Sequence, residues 1–201
     1  KDQDDKLRAI VYNGLREQKI KKEVEFMRKR IGIIGGAGYI GSHMVKILLQ
    51  NNCEVVTLDN LSSGYSNAVQ GGQFIQGDLA DRRRLDDIFR HGHFDGVMHF
   101  ASFIQVGESV AKPADYYRNN FVNTLNLLDA MVAHEVKRFI FSSTAAIYGE
   151  PEYVPIDEKH PARPINPYGI SKWMVEKVLV DYDQAYGLKS VRLRYFNAAG
   201  A

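Results

Sequence analysis

An internal disulfide is closed to this chain, because Cys53 is its one cysteine among 201 residues and a bridge needs two. Cys53 follows Asn51-Asn52 in an expected turn, where a lone thiol is inert. Sparse cysteine fits a reducing compartment, so a cytoplasmic location and no secretory leader are expected. Apolar runs long enough to span a bilayer are absent, and no membrane partner is expected. Charge of one sign is lacking too: the net charge is +2. Residues 1–30 carry ten Lys/Arg against six Asp/Glu, whereas residues 31–201 carry sixteen against eighteen. The body of the chain is therefore not basic, which argues against a nucleic-acid partner. Proline is scarce, with six in all, five of them between 151 and 167, a stretch that reads as a loop. Repeats and low-complexity segments are absent.

What remains is an ordinary globular composition, 45% hydrophobic and 25% charged, able to bury a full core. The chain begins at Lys1, while Met27 lies four residues before the first strand run. Residues 1–26 are therefore expected to be a non-core extension, a linker or upstream sequence. Residues 27–201 are expected to form one domain truncated at its carboxyl end, because Ala201 follows directly on a strand run and an Asn-Ala-Ala-Gly turn.

The densest signal runs from Arg30 to Ser42. An isoleucine-rich run at 31–34 ends in glycines at Gly35, Gly38 and Gly41, and apolar residues then recur at helical spacing through Met44, Val45, Leu48 and Leu49. This reads as strand, tight turn and helix. Glycine there lets a diphosphate rest against bare backbone N–H groups at the positive end of a helix. A second strand, Glu54-Val-Val-Thr-Leu-Asp59, ends in a carboxylate 18 residues after Gly41, placed for a bidentate bond to an adenosine ribose. A dinucleotide is the expected ligand.

Strands are predicted at 30–34, 54–58, 73–76, 95–100, 138–143 and 189–195, and helices at 39–50, 81–90, 114–134 and 167–186. Such alternation implies right-handed crossovers and a Rossmann-type, doubly wound, mostly parallel α/β sheet covered on both faces. Near the end, Tyr168-Gly-Ile-Ser-Lys172 places a phenol and an ammonium on one helix face. The cation is expected to lower the phenol pKa, as a phenolic general base requires. Pro167 sets the helix start. Upstream, Phe141-Ser-Ser-Thr-Ala145 puts three hydroxyls at the carboxyl end of a buried strand, where open α/β sheets bind ligands; a plain strand-end cap is the other reading of these hydroxyls.

With these motifs the sequence resembles the extended short-chain dehydrogenase/reductase family, and within it the nucleotide-sugar 4-epimerases. The segments Gly35-Gly-Ala-Gly-Tyr-Ile-Gly-Ser-His43, Leu58-Asp-Asn-Leu-Ser-Ser-Gly64, Gly77-Asp-Leu79, His99-Phe-Ala101, Val106-Gly-Glu-Ser109, Tyr116-Tyr-Arg-Asn-Asn120, Phe141-Ser-Ser-Thr144, Tyr148-Gly149, Pro167-Tyr-Gly-Ile-Ser-Lys172 and Arg194-Tyr-Phe-Asn197 occur in family order. The resemblance implies NAD as cofactor and a UDP-sugar as substrate. Tyr39 and Ile40 would lie over the pyrophosphate beside Gly35, Gly38 and Gly41. Asp59, Asn60, Leu61, Ser62, Ser63 and Gly64 would hold the adenosine ribose, and Asp78 and Leu79 would border the adenine. Phe100, Ala101, Ser102 and Asn119 would line the cofactor, Lys172 would bond the nicotinamide ribose, and Phe196 would sit near the nicotinamide. Thr144, Tyr168 and Asn197 would touch the substrate.

The implied reaction interconverts UDP-glucose and UDP-galactose. Tyr168, relayed by Thr144, would take the 4-hydroxyl proton while C4 gives hydride to NAD, and the 4-keto sugar would turn over and take the hydride back. Asp59 favours NAD, since a carboxylate repels a 2′-phosphate. A homodimer is expected at full length. Ile104 stands where some members carry lysine, and that contact is lost. Ala145-Ala146 follow Thr144 where a dehydratase needs an acid pair, which disfavours dehydration. Another UDP-sugar, such as an N-acetylhexosamine, pentose or uronate, stays open, as does a non-enzymatic NAD-binding sensor. His91 and His93 lack companions for a metal site, and none is expected. His99 reads as a satisfied core histidine, Arg82-Arg-Arg84 after the N-cap Asp81 as a solvated face, and Tyr116, Tyr117 and Trp173 as packing residues.

Overall fold

The computed structural model describes residues 28–199; the extension expected over residues 1–26 lies outside them. Six strands, β1 (Arg30–Ile34), β2 (Glu54–Asp59), β3 (Gln73–Gln76), β4 (Gly96–His99), β5 (Arg138–Thr144) and β6 (Lys189–Tyr195), form one sheet in the order β3-β2-β1-β4-β5-β6. Every neighbouring pair is parallel. The chain runs outward from β1 to β3, crosses back, and runs outward again from β4 to β6. Ligands of such sheets bind where the two runs part, beyond the carboxyl ends of β1 and β4.

The helices are α1 (Tyr39–Gln50), α2 (Arg82–Gly92), α3 (Val106–Ala111), α4 (Pro113–Tyr116), α5 (Asn123–Ala133) and α6 (Pro167–Tyr186). Strand alternation splits the core between two faces. Ile34, Val56, Leu58, Phe139 and Phe141 pack against Leu85 and Phe89 of α2, Leu127, Leu128 and Met131 of α5, and Val175 and Leu179 of α6. Ile33, Val55 and Met98 pack on the other side against Val45 and its neighbours on α1. Both faces are covered, as expected, though the second more thinly. A 3₁₀ turn, Ser66–Ala68, replaces a helix between β2 and β3, and Val191 of β6 is 54% exposed.

Boundaries follow the chemistry. Asp81 caps α2 by accepting from the Arg84 amide at 2.9 Å, and Asn166 caps α6 by accepting from the Gly169 amide at 2.8 Å beside Pro167. The single helix predicted over 114–134 is instead three pieces: α4, a π-helical stretch Tyr117–Val122, and α5. Helix α3 was not visible in the sequence because six residues containing Gly107 and Ser109 have little intrinsic preference. Tertiary bonds hold it: the buried Tyr116 hydroxyl accepts from the Gln105 amide at 3.0 Å and donates to Glu108 at 3.1 Å. His99 is a core residue bonded to Thr124 at 2.9 Å, and burial pushes its pKa down to about 3, so it stays neutral.

Candidate active site

A cavity of about 780 Å³ opens at the carboxyl ends of the strands. Its first wall is backbone. The chain leaves β1 at Gly35 with φ +79°, and a Cβ there would sit 2.4 Å from the Ala101 nitrogen. At Gly41 a Cβ would meet the Gly35 carbonyl at 2.1 Å, so α1 can start only if this position is bare. Gly38 is the N-cap of α1 and contributes no side-chain cap. The positive end of a 12-residue helix thus faces the cavity without a carboxylate or hydroxyl covering it.

Asp59 ends β2 as expected, and it does more than wait for a ribose. One oxygen accepts from the Ala37 amide at 2.9 Å and the other from the Leu61 amide at 2.8 Å. The carboxylate therefore pins the glycine turn to the end of β2, and each oxygen keeps a lone pair for a ligand hydroxyl. Gly64 completes the wall: a Cβ would lie 2.7 Å from the Ala37 carbonyl carbon, and the Tyr65 amide bonds the Ala37 oxygen at 3.0 Å. Asp78 is held likewise, accepting from Asn60 at 2.7 Å and the Ala80 amide at 2.8 Å.

The second wall is made of side chains. Thr144 ends β5, and its hydroxyl accepts from the Ala146 amide at 3.1 Å, so it is both a cap and a cavity residue. Tyr168 and Lys172 occupy one face of α6, both buried. The Lys172 ammonium, 2% exposed, donates to the Ser102 hydroxyl at 2.5 Å and the Ser142 carbonyl at 2.8 Å, and lies 4.8 Å from the Phe141 ring centre. Burial pushes its pKa down to about 7.

The expected lowering of the Tyr168 pKa is not what the structure shows. Burial raises it, and the hydrogen bond with Thr144 acts in the opposite direction. The physical reason is that burial strips water from the phenolate while Lys172 directs its bonds at Ser102 and Ser142, so desolvation wins.

Of the residues expected to bind cofactor or substrate, all but Leu61 line this one cavity, from Gly35 to Asn197. Leu61 stands just behind the wall: its backbone, in the left-handed region at φ 60°, closes the turn while its amide donates to Asp59. Asn120 carried no expected role. It is fully buried, clamps both the Phe103 amide and carbonyl at 2.9 Å, and bonds Ser171 of α6 at 3.2 Å. A regular helical period cannot phase residues through the π-helical stretch, which also turns Asn119 to the cavity.

A model of the NAD dependent epimerase/dehydratase family matches residues 31–201. The chain belongs to that family. It is 50% identical over 169 residues to a UDP-glucose 4-epimerase of Rhizobium meliloti (strain 1021), covering 84% of this chain and 52% of that protein. Among solved structures it superposes on UDP-glucose 4-epimerase from Brucella ovis in complex with NAD, with TM-score 0.85 and 47% identity over 86% of this chain and 53% of that one. The UDP-Glc/GlcNAc 4-epimerase of Campylobacter jejuni gives TM-score 0.82 and 44% identity, covering 84% and 53%. The chain spans about half the length of the curated relatives it matches. Among the described residues no helix is long and apolar enough to cross a membrane.

Proposed function

We infer that this chain binds NAD and carries the base of a UDP-sugar 4-epimerase that interconverts UDP-glucose and UDP-galactose. The observation behind this reading is the meeting of Thr144, Tyr168 and Lys172 in the cavity that the glycine turn and Asp59 also line. The residues fit the cofactor: the cradle at Gly35 and Gly41 would be filled by any Cβ, the start of α1 is uncapped, and Asp59 keeps acceptor capacity at the ribose position. NAD held there would supply a reversible hydride acceptor for sugar C4.

The chain's own residues handle the proton. Tyr168 takes it from the 4-hydroxyl, with Thr144 joined to it by a hydrogen bond that favours the phenolate. Lys172 uses two of its three protons on Ser102 and Ser142 and keeps one for a ribose hydroxyl. Asn197, exposed at the cavity rim after β6, is placed for the nucleotide part of the substrate. Two alanines follow Thr144, so no acid stands ready to expel a hydroxyl, which supports epimerisation over dehydration.

The test is to load the full-length protein, with the carboxyl-terminal half that the matched relatives carry and this chain does not span, with NAD and add UDP-glucose or UDP-galactose, with their N-acetylated counterparts in parallel. Reduced-nicotinamide absorbance and epimer formation are then followed. Either 4-epimer is expected to reduce the bound cofactor. Tight NAD binding with no reduction by any of the four sugars would leave the sensor reading in its place.

A further inference from the structure

Behind the reacting groups lies a second polar cluster that the proton chemistry does not use. Glu176 is 4% exposed on α6, two helical steps of four beyond Tyr168 and one beyond Lys172, so all three share a face. Arg194 of β6 grips its carboxylate side-on, through Nε at 3.1 Å and Nη2 at 2.7 Å. The Ser143 hydroxyl donates to the same carboxylate at 2.5 Å. Arg194 then reaches Tyr148, donating to its hydroxyl at 3.0 Å and lying 5.1 Å from its ring centre.

Each contact sits next to a cavity residue. Ser143 precedes Thr144, and the strand register sets Ser143 opposite Arg194 and Thr144 opposite Tyr195. Arg194 precedes Tyr195, Phe196 and Asn197, which line the cavity rim. Tyr148 ends the 3₁₀ turn Ala145–Tyr148 that Thr144 caps. That turn bears on the start of α6, where a Cβ on Gly169 would meet the Ala146 carbonyl oxygen at 2.7 Å. One carboxylate therefore joins β5, β6, the turn and α6 at the points where they deliver Thr144, Tyr168 and the rim.

We propose that Glu176 and Arg194 are a positioning pair that sets Thr144 against Tyr168 and aims the Tyr195–Asn197 segment into the cavity. Neither residue is among those lining the cavity. The pair's claim is on geometry, where a misplacement of about 1 Å can cost roughly a hundredfold in rate. A buried pair is weak evidence for stability, since desolvation offsets its attraction, so a purely stabilising role is the alternative to defeat. The inference rests on the proposed function for its kinetic half only.

The experiment uses the full-length protein with Glu176→Gln and, because an unpaired half-buried guanidinium can unfold it, Arg194→Lys as a second variant that keeps the charge but loses the fork. The first readout is the ionisation of Tyr168, taken as the difference between the tyrosinate titrations of each protein and its Tyr168→Phe derivative. Losing the correctly placed Thr144 bond should move that ionisation to higher pH in both variants. The second is the single-turnover rate of cofactor reduction by UDP-glucose, expected to fall about tenfold to a hundredfold, with NAD affinity within about twofold because the glycine turn is untouched. A folded variant with unchanged Tyr168 ionisation and unchanged reduction rate, or losses that track only the melting temperature, would overturn the proposal. If the parent protein reduces no cofactor with any UDP-sugar, the functional reading fails, and the Tyr168 titration alone still decides the pair.

Discussion

The two walls of the cavity are built in opposite ways. The wall at β1 and β2 is backbone drawn from residues 35–41 and 59–64, close in sequence and shaped by missing side chains. The wall at β4, β5 and α6 is side chains gathered from far apart; the Lys172–Ser102 bond alone spans 70 residues. The difference follows from the tasks proposed for them. A diphosphate needs several N–H groups close together, which one tight turn supplies. A proton transfer needs groups of different chemistry within hydrogen-bond reach, which packing of separate elements supplies.

The sharpest way to break this contrast is at Tyr168. Tyr168→Phe is expected to slow cofactor reduction by UDP-glucose roughly 10²- to 10⁴-fold, the usual contribution of a positioned base. Calorimetric NAD affinity should stay unchanged, since the backbone wall is intact; near-normal reduction would show that the proton leaves by another route.

Asp59→Ala attacks the other wall through its one essential side chain. Two charge-assisted bonds to backbone amides are lost, each worth about 1.5–3 kcal/mol, along with the ribose acceptor. NAD affinity should fall by about tenfold or more, and the gap to NADP should narrow as the repulsion goes. Titrations with both cofactors check this, and unchanged NAD affinity without a gain for NADP sinks the role given to Asp59.

Lys172 separates function from stability. Its folded pKa of about 7 lies below the ordinary 10.5, so between these values the unfolded chain binds a proton that the folded chain lacks. Stability contributed by this site therefore rises with pH across that window and is lost as pH falls toward 7. Lys172→Met removes the dependence. The melting temperature of the variant minus that of the parent should be largest near pH 7 and shrink toward pH 10. A difference that is flat or grows with pH contradicts the buried, half-neutral ammonium.

The smallest effect is expected at the other end of the chain. Removing residues 1–26 should leave NAD affinity and melting temperature unaltered, because the wall residues named above all lie between Gly35 and Asn197. A clear loss in either would tie that segment to the domain.

Much of this was legible beforehand, for physical reasons. The glycine spacing, the strand-ending Asp59 and the Tyr168–Lys172 pair are short-range patterns, and the structure brings all of them to one cavity. Both capped helix starts, at Asp81 and Asn166, arise from a side chain bonding an amide three residues on. Helix α3, the π-helical break and the clamp by Asn120 were not legible, because their causes lie in contacts such as Tyr116 with Gln105 and Asn120 with Phe103.

By itself the sequence determined the order of the six strands, the bare turn at Gly35 and Gly41, and the residues expected to carry the chemistry, since backbone preference and periodicity act over a few residues. Tertiary structure decided the rest. It turned the Asp59 carboxylate back onto the glycine turn, drew Lys172 to Ser102 and Ser142, and joined Glu176 to Arg194. It also set the protonation of Tyr168 and Lys172, because a charge buried away from water answers to every neighbour that folding brings to it.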